Sequence, residues 1–210
     1  MRLVPRATIA LFGLSLFASF SLSAQSMIFT LSSPAVSGAP ETGFDSGLVS
    51  SGRFDSAYAA KDGAPRNPTS FPFSWTNLPQ GTKALALVLD DPDARLVLAS
   101  FGVKANAFVH WVAADIDPSA GGLPANASAN NPAFVQGKNG AGQAAYTGPQ
   151  PPSNVPKDAK KPLIHIYRLT VYALSSPTGL ANGFSLDDLK TAMQGRILGQ
   201  AQLLMSYNNG

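Results

Sequence analysis

Hydrophobic residues in this chain fall in short blocks separated by Gly, Pro, Ser and Asp, which is the punctuation of strands joined by turns. Ala84–Leu89 (ALALVL) is continuously apolar, and so predicts a strand covered on both faces. Residues 107–114 (AFVHWVAA) predict the next strand. Alternation puts Phe108, His110, Val112 and Ala114 on one of its faces and Val109, Trp111 and Ala113 on the other. Residues 163–174 (LIHIYRLTVYAL) make the strongest strand pattern, dense in β-branched and aromatic residues, with Leu163, His165, Tyr167, Leu169 and Val171 sharing a face. Upstream, Met27–Leu31 reads as a short strand. Ser70–Trp75 (SFPFSW), with Pro72 inside it, reads as an edge strand or the start of a strand. Residues 35–70 predict further short strands and turns, while 117–132 and the Gly/Pro-rich 137–152 predict loops.

Towards the end the period changes. Ser185 before Leu186, Asp187 and Asp188 reads as a helix N-cap with acids in the first turn. Leu186, Leu189, Met193 and Ile197 form an apolar stripe, which Ala201, Leu204 and Met205 continue, with Gly195 and Gly199 marking a break or a division into two helices. Strands first and a helix last predict a mostly β single domain over 27–210.

Composition narrows the class. Hydrophobic residues make up 45% and charged residues 13% of the 210, as in a folded globular protein. With no cysteine there is neither a disulfide nor a thiolate metal site. Arg2 and Arg6 ahead of an apolar stretch from Ile9 to Phe17, then Ser21, Ser23 and Ala24, read as a signal peptide over 1–24. The expected location is therefore periplasmic or secreted, and the apolar run is too short to leave a stable membrane span after cleavage. Without residues 1–26 the net charge falls from +3 to +1, and no basic stripe points to nucleic acid.

The candidate chemistry lies in the strands. The only two histidines, His110 and His165, both sit inside apolar strand patterns, where an ionisable ring needs a partner. Asp91, in an Asp-Pro-Asp turn, closes the strand before His110, and Tyr167 shares a face with His165. A carboxylate beside an imidazole fixes its tautomer, and imidazole N–H groups with a tyrosine hydroxyl can donate to a phosphate or carboxylate. That combination predicts a small-anion pocket with no metal and no cofactor. The alternative is a hydrolase or metal-dependent enzyme using the His/His/Asp cluster. No nucleophile-elbow serine, His-Glu-x-x-His or P-loop motif accompanies the cluster.

In this order and spacing, Asp62-Gly63, Ser70–Trp75, Asp91-Pro92-Asp93-Ala94, Phe108-Val109-His110-Trp111, Gly137-Lys138-Asn139, Tyr146–Pro152 and His165-Ile166-Tyr167 resemble the phosphatidylethanolamine-binding protein family, also called the Raf kinase inhibitor protein family. The leader resembles that of its periplasmic bacterial members. The resemblance implies a large central antiparallel or mixed sheet packed on a smaller one, a β-sandwich, with the C-terminal helix beside the pocket mouth. It implies ligand contacts from Asp91, His110, His165 and Tyr167, an aromatic wall from Phe108, and a rim from Pro151 and Pro152. The implied ligand is a phosphate-like anion or phospholipid head group, with a kinase or protease to be inhibited as the implied protein partner. Two departures stand out: Arg95 replaces the usual proline after Asp-Pro-Asp-Ala, which is expected to add charge and loosen the turn, and Ile166 replaces the usual arginine. The segment 153–164 reads as an insertion whose lysines add positive charge at the pocket entrance.

Overall fold

The computed structural model describes residues 27–60, 68–100, 102–130, 133–151 and 164–208. The leader, Pro152 and nearly all of the expected insertion lie outside them.

Ten strands and two helices follow in order: β1 (Thr30–Ser32), β2 (Val36–Ser37), β3 (Gly52–Phe54), β4 (Phe73–Thr76), β5 (Ala84–Asp91), α1 (Arg95–Ser100), β6 (Phe108–Ile116), β7 (Gly122–Leu123), β8 (Val135–Gly137), β9 (His165–Leu174), α2 (Leu186–Met193) and β10 (Ile197–Tyr207). A seven-stranded sheet runs β2-β3-β10-β9-β5-β6-β8, and a three-stranded sheet runs β1-β4-β7. Among the described residues only β3 and β10 pair in parallel, so the large sheet is mixed.

The large sheet is covered on both faces, which explains its unbroken apolar strands. On one face Leu85, Leu87, Leu89, Trp111, Leu169, Val171, Leu203 and Met205 meet Leu31, Phe73 and Trp75 of the small sheet. On the other, Ala86, Val112, Ala114 and Leu174 meet Phe184 and, from α2, Leu189 and Met193. The architecture is therefore mostly β with a large and a small sheet, as expected. It is not a true sandwich, because three short strands cover only part of one face and a helix with its flanking loops covers the other.

Three local expectations are corrected. Pro72 does mark a strand start, but β4 lies at the centre of its sheet rather than at an edge. The C-terminal helix stops at Met193, and Gly195 (φ 70°) reverses the chain. Ala201, Leu203 and Met205 then alternate inward along β10, which pairs with β9 from Ile197↔Leu174 to Tyr207↔His165. The apparent helical stripe is overridden by this long antiparallel pairing. The third correction concerns β6. The register runs Leu89↔Trp111 and then Asp90↔Val109, a bulge at His110 that inverts the alternation. As a result Trp111 and Ala113 face the small sheet, while Val109, Val112 and Ala114 face α2.

The helix itself follows its sequence. Ser185 Oγ accepts from Asp188 N (3.1 Å), and Asp188 Oδ2 accepts from Ser185 N (2.8 Å), closing a capping box. Its buried side packs on the face of the large sheet opposite to Tyr167, so it does not lie beside the pocket mouth as the resemblance implied.

Candidate functional site

The antiparallel pairing of β9, β5 and β6 brings the expected residues together. Asp91 ends β5 opposite Phe108, the first residue of β6, and His165 opens β9. The side chain of Asp91 does two jobs. Its Oδ1 accepts from Ala94 N (3.0 Å), capping the short 3-10 turn Pro92–Ala94, and its Oδ2 accepts from His165 Nδ1 (2.7 Å). A carboxylate can only accept, so Nδ1 carries the hydrogen and Nε2 is the working end of the His165 ring.

His110 is held by a different device. Its Nδ1 lies 2.9 Å from the carbonyl oxygen of Thr147, which again fixes Nδ1 as donor. Burial pushes the His110 imidazole below its ordinary 6.5, against the opposing pull of the Asp91 charge, the Thr147 carbonyl and Asp90. Protonation of this ring is therefore displaced to lower pH. The Thr147 carbonyl is fixed by its own loop: Thr147 N donates to His110 O (2.9 Å) and Ala60 N donates to Pro149 O (2.9 Å). Gly148 makes that approach possible, because a Cβ there would stand 2.5 Å from Ala60 N and 2.7 Å from Tyr58 O.

Tyr167 stands between the two rings, its centroid 5.0 Å from that of His110 (edge-on) and 6.4 Å from that of His165 (stacked). Burial first, then the Asp91 charge, pushes its phenol well above 10, so it stays a neutral donor. Phe108 packs on His110 with ring centroids 4.8 Å apart. Two buried polar atoms, His165 Nε2 and Tyr167 Oη, have no hydrogen-bond partner among the described residues. Unsatisfied buried polar groups are costly, and each calls for an explanation. Pro151 is buried at the end of the Tyr146–Pro151 loop, while Pro152 lies outside the described residues.

Several contributors escaped the sequence reading. Asp93 is fully buried and accepts from Asp45 N (2.8 Å), Ser46 N (2.6 Å), Ser46 Oγ (2.8 Å) and Ile166 N (2.8 Å). It thereby ties the 43–46 segment to the start of β9. Phe44, on that segment, sets its ring 5.1 Å from His165. Asp-Pro-Asp was the available signal for Asp93, but nothing around Phe44 has a period. Arg95 does not loosen the turn. Its Nε and Nη2 grip the two carboxylate oxygens of Asp45 (3.2 and 2.9 Å), adding a second tie to the same segment. Ile166 is fully buried, so no charged group replaces the arginine at that position.

Asp91 is committed to His165 and to the cap. Among the described residues no three His, Cys, Asp or Glu side chains converge in a way that could hold a metal ion. What converges instead is two imidazoles, each with Nδ1 on a protein acceptor, one phenol and two phenyl rings.

The phosphatidylethanolamine-binding protein family profile matches residues 46–208. The chain belongs to that family. It is 36% identical over 162 residues to the UPF0098 protein of Methanothermobacter thermautotrophicus, covering 76% of this chain and 93% of that one. It is also 34% identical over 150 residues to the Bacillus subtilis protein YxkA, covering 65% of this chain and 80% of the relative. Among solved structures, E. coli YbcL, described as a member of the mammalian PEBP family, superposes with a TM-score of 0.66 at 21% identity, covering 87% of this chain and 99% of its own. A phosphatidylethanolamine-binding protein homologue from Chlamydia trachomatis gives a TM-score of 0.65 at 24% identity, covering 87% and 98%. Both structures establish the shared fold.

Proposed function

We propose that this protein is a binding module, not a catalyst, which captures a small phosphate-type anion, free or on a phospholipid head group, between His110 and His165. The observation that carries the reading is the common orientation of the two rings. Each gives its Nδ1 hydrogen to a protein acceptor, which leaves Nε2 as the nitrogen that can meet a ligand; that of His165 has no hydrogen-bond partner among the described residues, and the Tyr167 ring lies between the two. In the neutral state these Nε2 atoms accept, so a phosphate monoanion can share its own proton with one of them. A dianion beside the Asp91 carboxylate needs a proton taken up by a ring, which turns Nε2 into a charge-assisted donor.

The basic and apolar residues 1–24 support a periplasmic or secreted location, and the family resemblance supports a regulatory role in which a protein partner meets the pocket rim. Calorimetric titration with inorganic phosphate, at millimolar concentration and pH 6, tests the core of the reading. Binding is expected for the wild type and is expected to fall at least about tenfold in His165→Ala and His110→Ala, the loss of one charge-assisted hydrogen bond being worth roughly 1.5–3 kcal/mol. An absence of phosphate binding, or binding that neither substitution alters, would sink it.

A further inference from the structure

We infer that Phe44 is a specificity-determining residue of this pocket: its ring, held against His165, is an apolar wall for the organic substituent of a phosphate monoester. The inference rests on the phosphate reading of the pocket and adds to it a preference among phosphates.

Each imidazole has its own phenyl. Phe108 packs on His110 at 4.8 Å and Phe44 on His165 at 5.1 Å, with Tyr167 between the two rings. Phe108 reaches its place along a strand, whereas Phe44 is brought there by a dedicated clasp. From inside, the buried Asp93 carboxylate takes the N–H groups of Asp45 and Ser46 and the Ser46 hydroxyl. Gly43 lets that carboxylate approach, since a Cβ there would lie 2.3 Å from Asp93 Oδ2. From outside, Arg95 grips Asp45 through two hydrogen bonds. Phe44 N also donates to Ile164 O (3.0 Å), next to His165.

This clasp does not serve the core. Phe44 belongs to neither hydrophobic cluster, and it keeps 37% of its surface exposed. A phenyl fixed by so many polar contacts, partly open to solvent and resting on the ring that offers Nε2, is placed to touch whatever is attached to a bound phosphate. Inorganic phosphate has no apolar surface to gain from it, but an aryl or alkyl phosphate does.

The test is calorimetric titration of the full chain with inorganic phosphate and with phenyl phosphate at one pH and ionic strength. The wild type is expected to bind phenyl phosphate roughly fivefold more tightly, as an aromatic pair contributes. Phe44→Ala is expected to erase that preference while leaving inorganic phosphate within about twofold, and Phe44→Leu, which keeps apolar bulk, to retain part of it. A preference that survives Phe44→Ala overturns the inference, as does an equal loss for both ligands, which would make the ring a mere support for His165. Inorganic phosphate bound with no preference in the wild type refutes the role of Phe44 alone. If the wild type binds neither ligand, the pocket reading and this inference fall together.

Discussion

The two imidazoles of the candidate site are chemically the same group in two different settings. His165 gives its Nδ1 hydrogen to a buried carboxylate that also caps a turn, so its orientation depends on one side chain, Asp91. His110 gives the same hydrogen to a backbone carbonyl, so its orientation depends on the path of a loop. One half of the site is thus sensitive to side-chain chemistry and the other to backbone geometry. The difference predicts that the halves can be broken separately and by different kinds of substitution.

The largest effect is expected in the loop half. In Gly148→Ala the new methyl meets Ala60 N and Tyr58 O, backbone atoms that cannot swing aside. The loop must shift, which pulls the Thr147 carbonyl away from His110 and strains the Ala60–Pro149 hydrogen bond. A cost of about 2–3 kcal/mol is expected in urea unfolding, with weakened phosphate binding. A variant as stable as the wild type would show that the loop has more freedom than these contacts allow.

The next effect tests the carboxylate half. Asp91→Asn keeps the shape, and its carbonyl oxygen can still cap Ala94 N, which leaves its NH2 facing His165 Nδ1. Nδ1 must then accept, and the hydrogen of the neutral ring moves to Nε2. Imidazole nitrogen chemical shifts should report this change of tautomer at His165 and none at His110. A stability loss of about 1–2 kcal/mol should accompany it, as for a weakened buried hydrogen bond. An unchanged His165 tautomer would mean that Asp91 does not set it.

The same contrast explains what could be read from the sequence. Side-chain determinants were legible: Asp91, Phe108, His110, His165 and Tyr167 do converge, because period-two alternation and an Asp-Pro-Asp turn are local signals. Even so, the face containing His110 was right only up to that residue, since the bulge beside it depends on how β6 pairs with β5 and has no mark in AFVHWVAA. Backbone determinants were not legible. That Thr147 would offer its carbonyl, or that Phe44 would cross to β9, follows from loop packing over 37 and some 120 residues of sequence separation. β10 was misread for a related reason: ILGQAQLLMSY carries both helical and strand spacings, and ten residues of pairing with β9 decide between them. The buried Asp93 was seen as a turn residue, whereas its four hydrogen bonds come from two segments remote in sequence.

The smallest expected effect sharpens the comparison by pH. Burial holds the folded-state His110 pKa below 6.5, whereas the unfolded ring titrates near that ordinary value. As pH falls below about 6.5 the unfolded chain binds a proton that the folded ring refuses, so unfolding becomes easier. The loss continues until the buried ring itself protonates, with a slope of at most about 1.4 kcal/mol per pH unit. Urea midpoints between pH 7 and pH 5 should therefore drop more steeply for the wild type than for His110→Gln, whose amide can still donate to Thr147 but does not titrate in this range. Bound phosphate favours the charged ring and should flatten the wild-type slope, with proton uptake visible as a dependence of the binding heat on the ionisation enthalpy of the buffer. Equal slopes for the two proteins without ligand would show that His110 is not the group that burial keeps neutral. A steeper slope in the variant would reverse the sign and show that the fold favours the charged form of His110.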